Sequence, residues 1–344
     1  MRPAAVLVVL VVAAGCNSAA PASASLYRGR PEKPSLQIGV AGQGQLLYLP
    51  LTLAAELGYF RAEGLEVKIT DLKDGPQTVE ALNDGTVDAV ADLYEHALLS
   101  QVQHRQDEMI AVFDLAPGLV LLVNQKHGDA HTIQDIARLR IGVTAAGSPS
   151  EEMVKYLFKS AGLDPGGALL VPIGAGAPSM LALKNDQIQA LATVEPVASM
   201  LEQSGDGRVL FDTRTLEGTR GVFGGTWPAG GLYLPGDFVQ ANPRTVGALT
   251  RALLRALRYL HQRTVSEVVA GLPQPVFYPD GNQELFTRVL SGSLGGYSLD
   301  GVMPEDGPGH VLGSLKAAYP GTDWSSVDLR RSFENAPIKA AAKL

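Results

Sequence analysis

A strand, a glycine-bearing turn and a helix follow one another twice along this chain, and that repetition constrains the fold more than any other feature. Leu36-Gln37-Ile38-Gly39-Val40 reads as a strand and Ala41-Gly42-Gln43-Gly44 as its turn. Leu46, Leu49, Leu53, Leu57 and Phe60 then recur at helical spacing. Leu65 to Ile69 alternates as a second strand, Thr78 to Asn83 reads as a helix, and Val87 to Ala91 as a third strand. The pattern restarts with Leu139 to Val143, a helix over Ser148 to Ala161, a strand over Leu169 to Ile173, a helix containing Met180 to Leu183, and a strand at Ala190 to Ala192. Strands alternating with helices predict an α/β chain whose sheets are mostly parallel under right-handed crossovers. Two such runs predict two lobes, which 344 residues accommodate. The apolar runs Leu119 to Val123 and Gly231 to Leu234 read as the two crossings of a hinge. A long helix follows from Asn242-Pro243 to about His261, with Leu249, Leu253, Leu257 and Leu260 as its stripe, and a Gly/Pro-rich loop spans Gly301 to Gly309.

Charge and cysteine content exclude several functions. Lys and Arg number 28 against 35 Asp and Glu, a formal net charge of −7, so there is no basic surplus to neutralise nucleic-acid phosphates. Cys16 is the single cysteine. It cannot form an internal disulfide or a multi-cysteine metal site, and neither a metal nor a cofactor is expected. Met1-Arg2 precedes an apolar run from Ala4 to Ala14, too short for the roughly 20 residues that span a bilayer and suited to an export signal. Ala13-Ala14-Gly15-Cys16 resembles a bacterial lipobox, with Ala13 where Leu is usual. The resemblance implies lipid attachment at Cys16, and an ordinary signal peptide is the other reading. Residues 17–34 are expected to form a flexible tether, its Ala/Pro/Ser-rich part at Ser18 to Ser25. The expected organisation is 1–16 signal and lipobox, 17–34 tether, 35–121 with 232–344 as the first lobe, and 122–231 as the second, in a monomer.

Several segments in order carry a family resemblance. Leu57-Gly58-Tyr59-Phe60-Arg61-Ala62-Glu63-Gly64-Leu65-Glu66-Val67 and Ala81-Leu82-Asn83-Asp84-Gly85-Thr86-Val87-Asp88 are followed by Ile141-Gly142-Val143-Thr144, Gly147-Ser148 and Val194-Glu195-Pro196. The chain resembles extracytoplasmic solute-binding proteins of ABC importers for nitrate, sulfonate and taurine, a family that includes pyrimidine-precursor binders. The match covers most of Leu36 to Leu260. It implies the type II periplasmic-binding-protein fold, with two α/β lobes, two hinge strands and a cleft that closes on its cargo. It also implies a membrane permease and its ATPase as partners and a place outside the cytosol.

In open α/β sheets ligands bind beyond the carboxyl ends of strands, so candidate contacts are read from strand ends. Gln43, Gly44 and Tyr48 follow the first strand; the alternative is a purely geometric turn with Tyr48 packed inward. Asp92, Tyr94, Glu95 and His96 follow the Val87 to Ala91 strand. They offer groups for a polar ring or amine, or else a cap at Asp92 with Glu95 and His96 on a solvated first turn. Thr144, Gly147 and Ser148 precede a helix whose N-terminus favours an anion. Ser148-Pro149-Ser150-Glu151 is also a capping box that would occupy the same donors. Glu195 either accepts from a ligand amine or orients the hinge, and Trp227 either stacks on cargo or plugs the base of the cleft.

None of these loops contains lysine or arginine, although Arg220 is nearby in sequence. A tightly held sulfonate usually recruits an arginine fork. The loops instead suit a small organic solute that is neutral, zwitterionic or a nitrogen-bearing aromatic, and disfavour nitrate. The main expectation is a non-catalytic capture protein working by population shift. The alternatives are an enzyme of the same fold, with Glu95 and His96 as acid and base, and a lipid-tethered solute sensor.

Overall fold

The computed structural model describes residues 25–72 and 75–343. The export signal, the lipobox and Cys16 lie outside the described residues. Strands β1 (Ser35–Val40), β2 (Glu66–Asp71), β3 (Ala89–Leu93) and β4 (Asp107–Val112) belong to one sheet. Strands β5 (Val120–Asn124), β6 (Arg140–Val143), β7 (Leu169–Pro172), β8 (Ala190–Thr193) and β9 (Gly207–Asp212) form a second, and β10 (Gly230–Pro235) returns to the first. The strand orders are β2-β1-β3-β10-β4 and β7-β6-β8-β5-β9. In the first sheet β1 runs parallel to β2 and β3, while β10 is antiparallel to β3 and β4; in the second, β6 and β5 repeat that arrangement. Both sheets are therefore mixed and share one plan.

The two apolar runs read as crossings differ from that expectation. Leu121 pairs with Ala192 and Phe211 inside the second sheet, and Leu232 pairs with Ala91 and Ala111 inside the first. Both strands are buried on both faces, which gives an uninterrupted apolar run rather than an alternating one. The chain instead passes between the sheets at residues 113–119 and 213–229.

Three further differences bear on the site. The helical spacing from Leu46 to Phe60 is split into a 3₁₀ turn (Leu46–Tyr48) and helices Leu49–Glu56 and Tyr59–Ala62. Gly58 between the two helices adopts φ +70°, a conformation costly for any residue with a Cβ. Strand β3 begins and ends two residues later than expected, so Asp92 lies in the strand and Leu93, not Asp92, precedes the Tyr94–Val102 helix. The Gly301 to Gly309 loop ends early, because the Gly307–Ala318 helix starts within it.

Residues 25–34 do not hang free as a tether. Glu32 accepts from Arg244 Nε at 2.8 Å and from the Thr245 amide at 2.8 Å, and the Tyr27 carbonyl accepts from Arg251 at 2.7 Å. These contacts fix the segment to the Pro243–Gln262 helix. That helix has proline in its first turn and buries Leu249, Leu253, Leu257 and Leu260. One apolar cluster joins the halves: Tyr94 and Leu98 from the first, Met153 and Phe158 from the second, and Val311 and Leu315 from the Gly307–Ala318 helix. Among the described residues no helix is long and apolar enough to cross a membrane.

Candidate functional site

A cavity of about 500 Å³ opens where the two crossings meet the ends of both sheets. Gly44 to Leu47 after β1 form one wall. Asp114 and Ala116 to Gly118 come from the first crossing, Val194 to Pro196 from the end of β8, and Arg214 from the second crossing. Residues from Phe277 to Ser293 close the far side. There Phe277 and Phe286 have ring centroids 5.6 Å apart, and Tyr278 and Phe286 5.5 Å apart, so the wall is a continuous aromatic surface. Gly44 is required at its position, because a Cβ there would stand 2.5 Å from the carbonyl oxygen of Val276. The first turn and the aromatic wall can touch only through a glycine.

Two charged groups dominate the cavity. Asp114 is 5% exposed, and its Oδ1 accepts from the Ala116 amide at 2.9 Å. Burial pushes its carboxyl up to about 7, with the Ala116 and Leu115 amides opposing the rise. Tyr297, opposite Asp114 across an isolated β-bridge, sends its hydroxyl to the Leu46 carbonyl at 2.6 Å instead. Arg214 is the cation of the lining, and carboxylates hold all three of its nitrogens. Nη1 reaches Glu195 at 2.7 Å and Glu202 at 2.8 Å, Nη2 reaches Asp212 at 2.6 Å, and Nε reaches both Asp212 oxygens at 3.0 Å. Burial disfavours the guanidinium charge, but these bonds outweigh it and raise its pKa.

Of the residues singled out in the sequence, the cavity brings together Gly44 and Glu195. Glu195 also accepts from Ser199 Oγ at 2.9 Å and the Ser199 amide at 3.1 Å, so it positions both Arg214 and the Val197–Ser204 helix. Gln43 turns away, donating from Nε2 to Thr52 at 3.3 Å. Tyr48 packs inward, 2% exposed, and donates to Asp92 at 3.3 Å. Trp227 is 2% exposed, donates to Ser314 at 3.1 Å and lies against Phe223, an interior plug. Thr144, Gly147 and Ser148 form a self-contained cap. Ser148 Oγ accepts from the Glu151 amide, and Glu151 reaches the Gly147 amide at 2.9 Å rather than the Ser148 amide. Thr144 bonds Ser150 Oγ at 3.0 Å. Protein groups therefore occupy several of the donors that an anion would need there.

Asp92, Tyr94, Glu95 and His96 belong to a largely buried network outside the cavity lining, not to a cap and a solvated turn. Asp92 accepts from Thr78, from Tyr48 and from the Leu93 amide, and His96 Nδ1 lies 2.8 Å from its Oδ2. Burial alone would raise the Asp92 pKa; the His96 charge and these hydrogen bonds lower it instead. Burial works against the His96 cation too, but Asp92 overrides it and raises that pKa. Glu95, 1% exposed, faces Glu152 of the second half, and burial followed by the Glu152 charge pushes its carboxyl well up. Glu152 accepts from Tyr319 at 2.7 Å. Burial raises the Glu152 carboxyl as well, so the buried pair favours protonation. Tyr94 bonds Ser332. Among the described residues no three His, Cys, Asp or Glu are grouped to hold a metal.

Sequence reasoning missed Asp114, Arg214 and the 277–293 wall. The signal for the last was present as aromatic Phe277-Tyr278 set between Pro275 and Pro279.

Two mixed five-stranded sheets of one plan, two crossings and a cavity at their junction define the type II periplasmic-binding-protein class. Within it the chain belongs to the NMT1-like family, whose model matches residues 29–272. A solved structure from Bordetella bronchiseptica RB50 is 36% identical, with TM-score 0.80, covering 92% of this chain and 99% of that one. The alkanesulfonate-binding protein SsuA from Xanthomonas axonopodis pv. citri, bound to MOPS, is 18% identical with TM-score 0.66, covering 90% and 100%. The periplasmic nitrate-binding protein NrtA from Synechocystis PCC 6803 is 16% identical with TM-score 0.66, covering 92% and 90%. At these last two identities the shared property is the fold. A search of curated protein sequences finds no match.

Proposed function

We propose that the chain is the solute-binding component of an ABC importer, exported, held at the membrane by lipid on Cys16, and delivering a small organic solute to a permease. The carrying observation is the cavity of about 500 Å³ with walls from both sheets, both crossings and the 277–293 segment. That volume falls within the range for small-ligand sites, and its lining is largely apolar with few polar groups. A solute touching Gly44, Asp114, Glu195 and Phe286 together bridges groups from both halves. Binding then favours whichever arrangement brings those groups together. Glu95 and His96 do not line this cavity, which favours capture over the enzyme alternative.

The test is native mass spectrometry of the freshly purified full chain, followed by incubation with the recovered solute. The expected result is a non-covalent adduct of one small molecule, recovered with unchanged mass. Conversion of that molecule overturns the transport reading in favour of an enzyme. A chain that carries no adduct and takes none up from a broad solute extract overturns solute binding altogether.

A further inference from the structure

We infer that the solute of this cavity is an organic cation, a protonated amine or quaternary ammonium on an apolar body, with buried Asp114 as its counter-charge and the Phe277, Tyr278 and Phe286 rings as its π-face. The inference rests on the solute-binding reading and names the class of solute. Its first support is the state of Arg214. A sulfonate or nitrate needs a guanidinium fork with free donors, yet every nitrogen of Arg214 already meets Glu195, Glu202 or Asp212. Asp114, Glu195 and Asp280 line the cavity, and Asp212 and Glu202 stand behind Arg214. The one guanidinium of the lining is thus already paired, and an anion entering the chamber meets carboxyls and no free cation among the described lining residues.

The second support is Asp114 itself. It lines the cavity while 95% buried, and its hydrogen bonds come from backbone amides. No Lys, Arg or His pairs with it among the described residues. A buried carboxylate without a cation is costly unless a partner arrives with the ligand. The third support is the aromatic wall: Phe277, Tyr278 and Phe286 line the cavity together, and aromatic ring faces attract cations. Burial holds the Asp114 carboxyl near about 7, a position from which a bound cation draws it down.

The experiment is isothermal titration at pH 7.5 of the full chain with three probes sharing one body: 2-phenylethylammonium, 2-phenylethanol and 2-phenylethanesulfonate. The wild type and Asp114→Asn are compared, with thermal melts confirming that the variant folds. The expected result is that the ammonium binds tightest and the sulfonate weakest, and that Asp114→Asn weakens the ammonium about 30-fold or more while moving the alcohol less than about threefold. The proposal is overturned if the sulfonate binds as well as the ammonium, if Asp114→Asn leaves the ammonium unaffected, or if none of the three binds. Native mass spectrometry separates the two readings. A neutral or anionic adduct on the purified chain overturns the cation and leaves solute capture standing, whereas a chain that never takes up any molecule overturns both.

Discussion

Asp114→Asn should leave stability unchanged below the ordinary carboxyl value of 3.8 and make the protein progressively more stable than wild type as pH rises from there to about 7. The carboxyl has an ordinary value of 3.8 and is pushed up to about 7 by burial. Because the folded value is the higher one, the contribution of this group is fully present below the unfolded value and is lost as pH rises toward the folded one. The gap corresponds to about 4 kcal/mol of destabilisation once Asp114 is ionised in both states, at about 1.36 kcal/mol per pH unit. The charged and titratable neighbours do not cancel it. Tyr297 bonds the Leu46 carbonyl, and Arg214 is held by other carboxylates. Asparagine keeps an acceptor for the Ala116 amide, so the substitution removes the ionisation with little else. Urea unfolding of wild type and variant between about pH 3 and pH 8.5 should show curves that coincide at the acid end, separate between about pH 4 and pH 7, and stay about 2–4 kcal/mol apart above that. Parallel curves across the whole range, or a less stable variant at pH 8, would refute the reasoning.

Glu95→Gln replaces one of two buried, facing carboxyls with an amide that cannot ionise. Because both carboxyls are raised in the fold, wild-type stability should fall as pH climbs above the ordinary glutamate range, and the variant should lose that fall, gaining about 1–3 kcal/mol at pH 8 by thermal or urea unfolding. Trp227→Ala empties a buried site and leaves Ser314 without its indole donor, so unfolding experiments should show a loss of about 3–5 kcal/mol. Arg214→Met leaves Glu195, Glu202 and Asp212 facing one another. Solvent reaches Glu202 and Asp212, so the loss should be about 1–3 kcal/mol and should shrink in high salt, as read by urea unfolding at two ionic strengths.

The order of strands and helices was legible because each element carries its own period. The strands β1 to β3 and β6 to β8 appear in the sequence within two residues of their observed bounds. Which sheet a strand joins was not legible. Val120 to Val123 and Gly231 to Leu234 are apolar on both faces, and such a run has no feature that separates a central strand from a buried connector. The site divided in the same way. Glu195 and Gly44 follow strands directly and could be read from topology. Asp92, Glu95 and His96 have the residue types of a binding site, but their partners are Thr78, Tyr48 and, from the other half, Glu152. Arg214 was invisible as a cavity residue because the charges that neutralise it lie 2, 12 and 19 residues away. The far wall was invisible for a stronger reason: the segment just beyond it meets the first turn through Tyr297 and Leu46, a separation of 251 residues.

The positions of the two buried acidic clusters divide their roles. Glu95 meets Glu152, and Tyr319 meets Glu152, on the side where the Gly307–Ala318 helix packs across both halves, so this cluster holds the halves together without any solute. Asp114 sits at the crossings, and its burial works against the folded state as pH rises. A ligand can shift an arrangement only by its differential affinity, and a carboxyl already raised to about 7 offers that differential. A cation that restores Asp114 toward its ordinary range returns part of the free energy that burial took, and the same linkage requires binding to strengthen as pH rises through about 7.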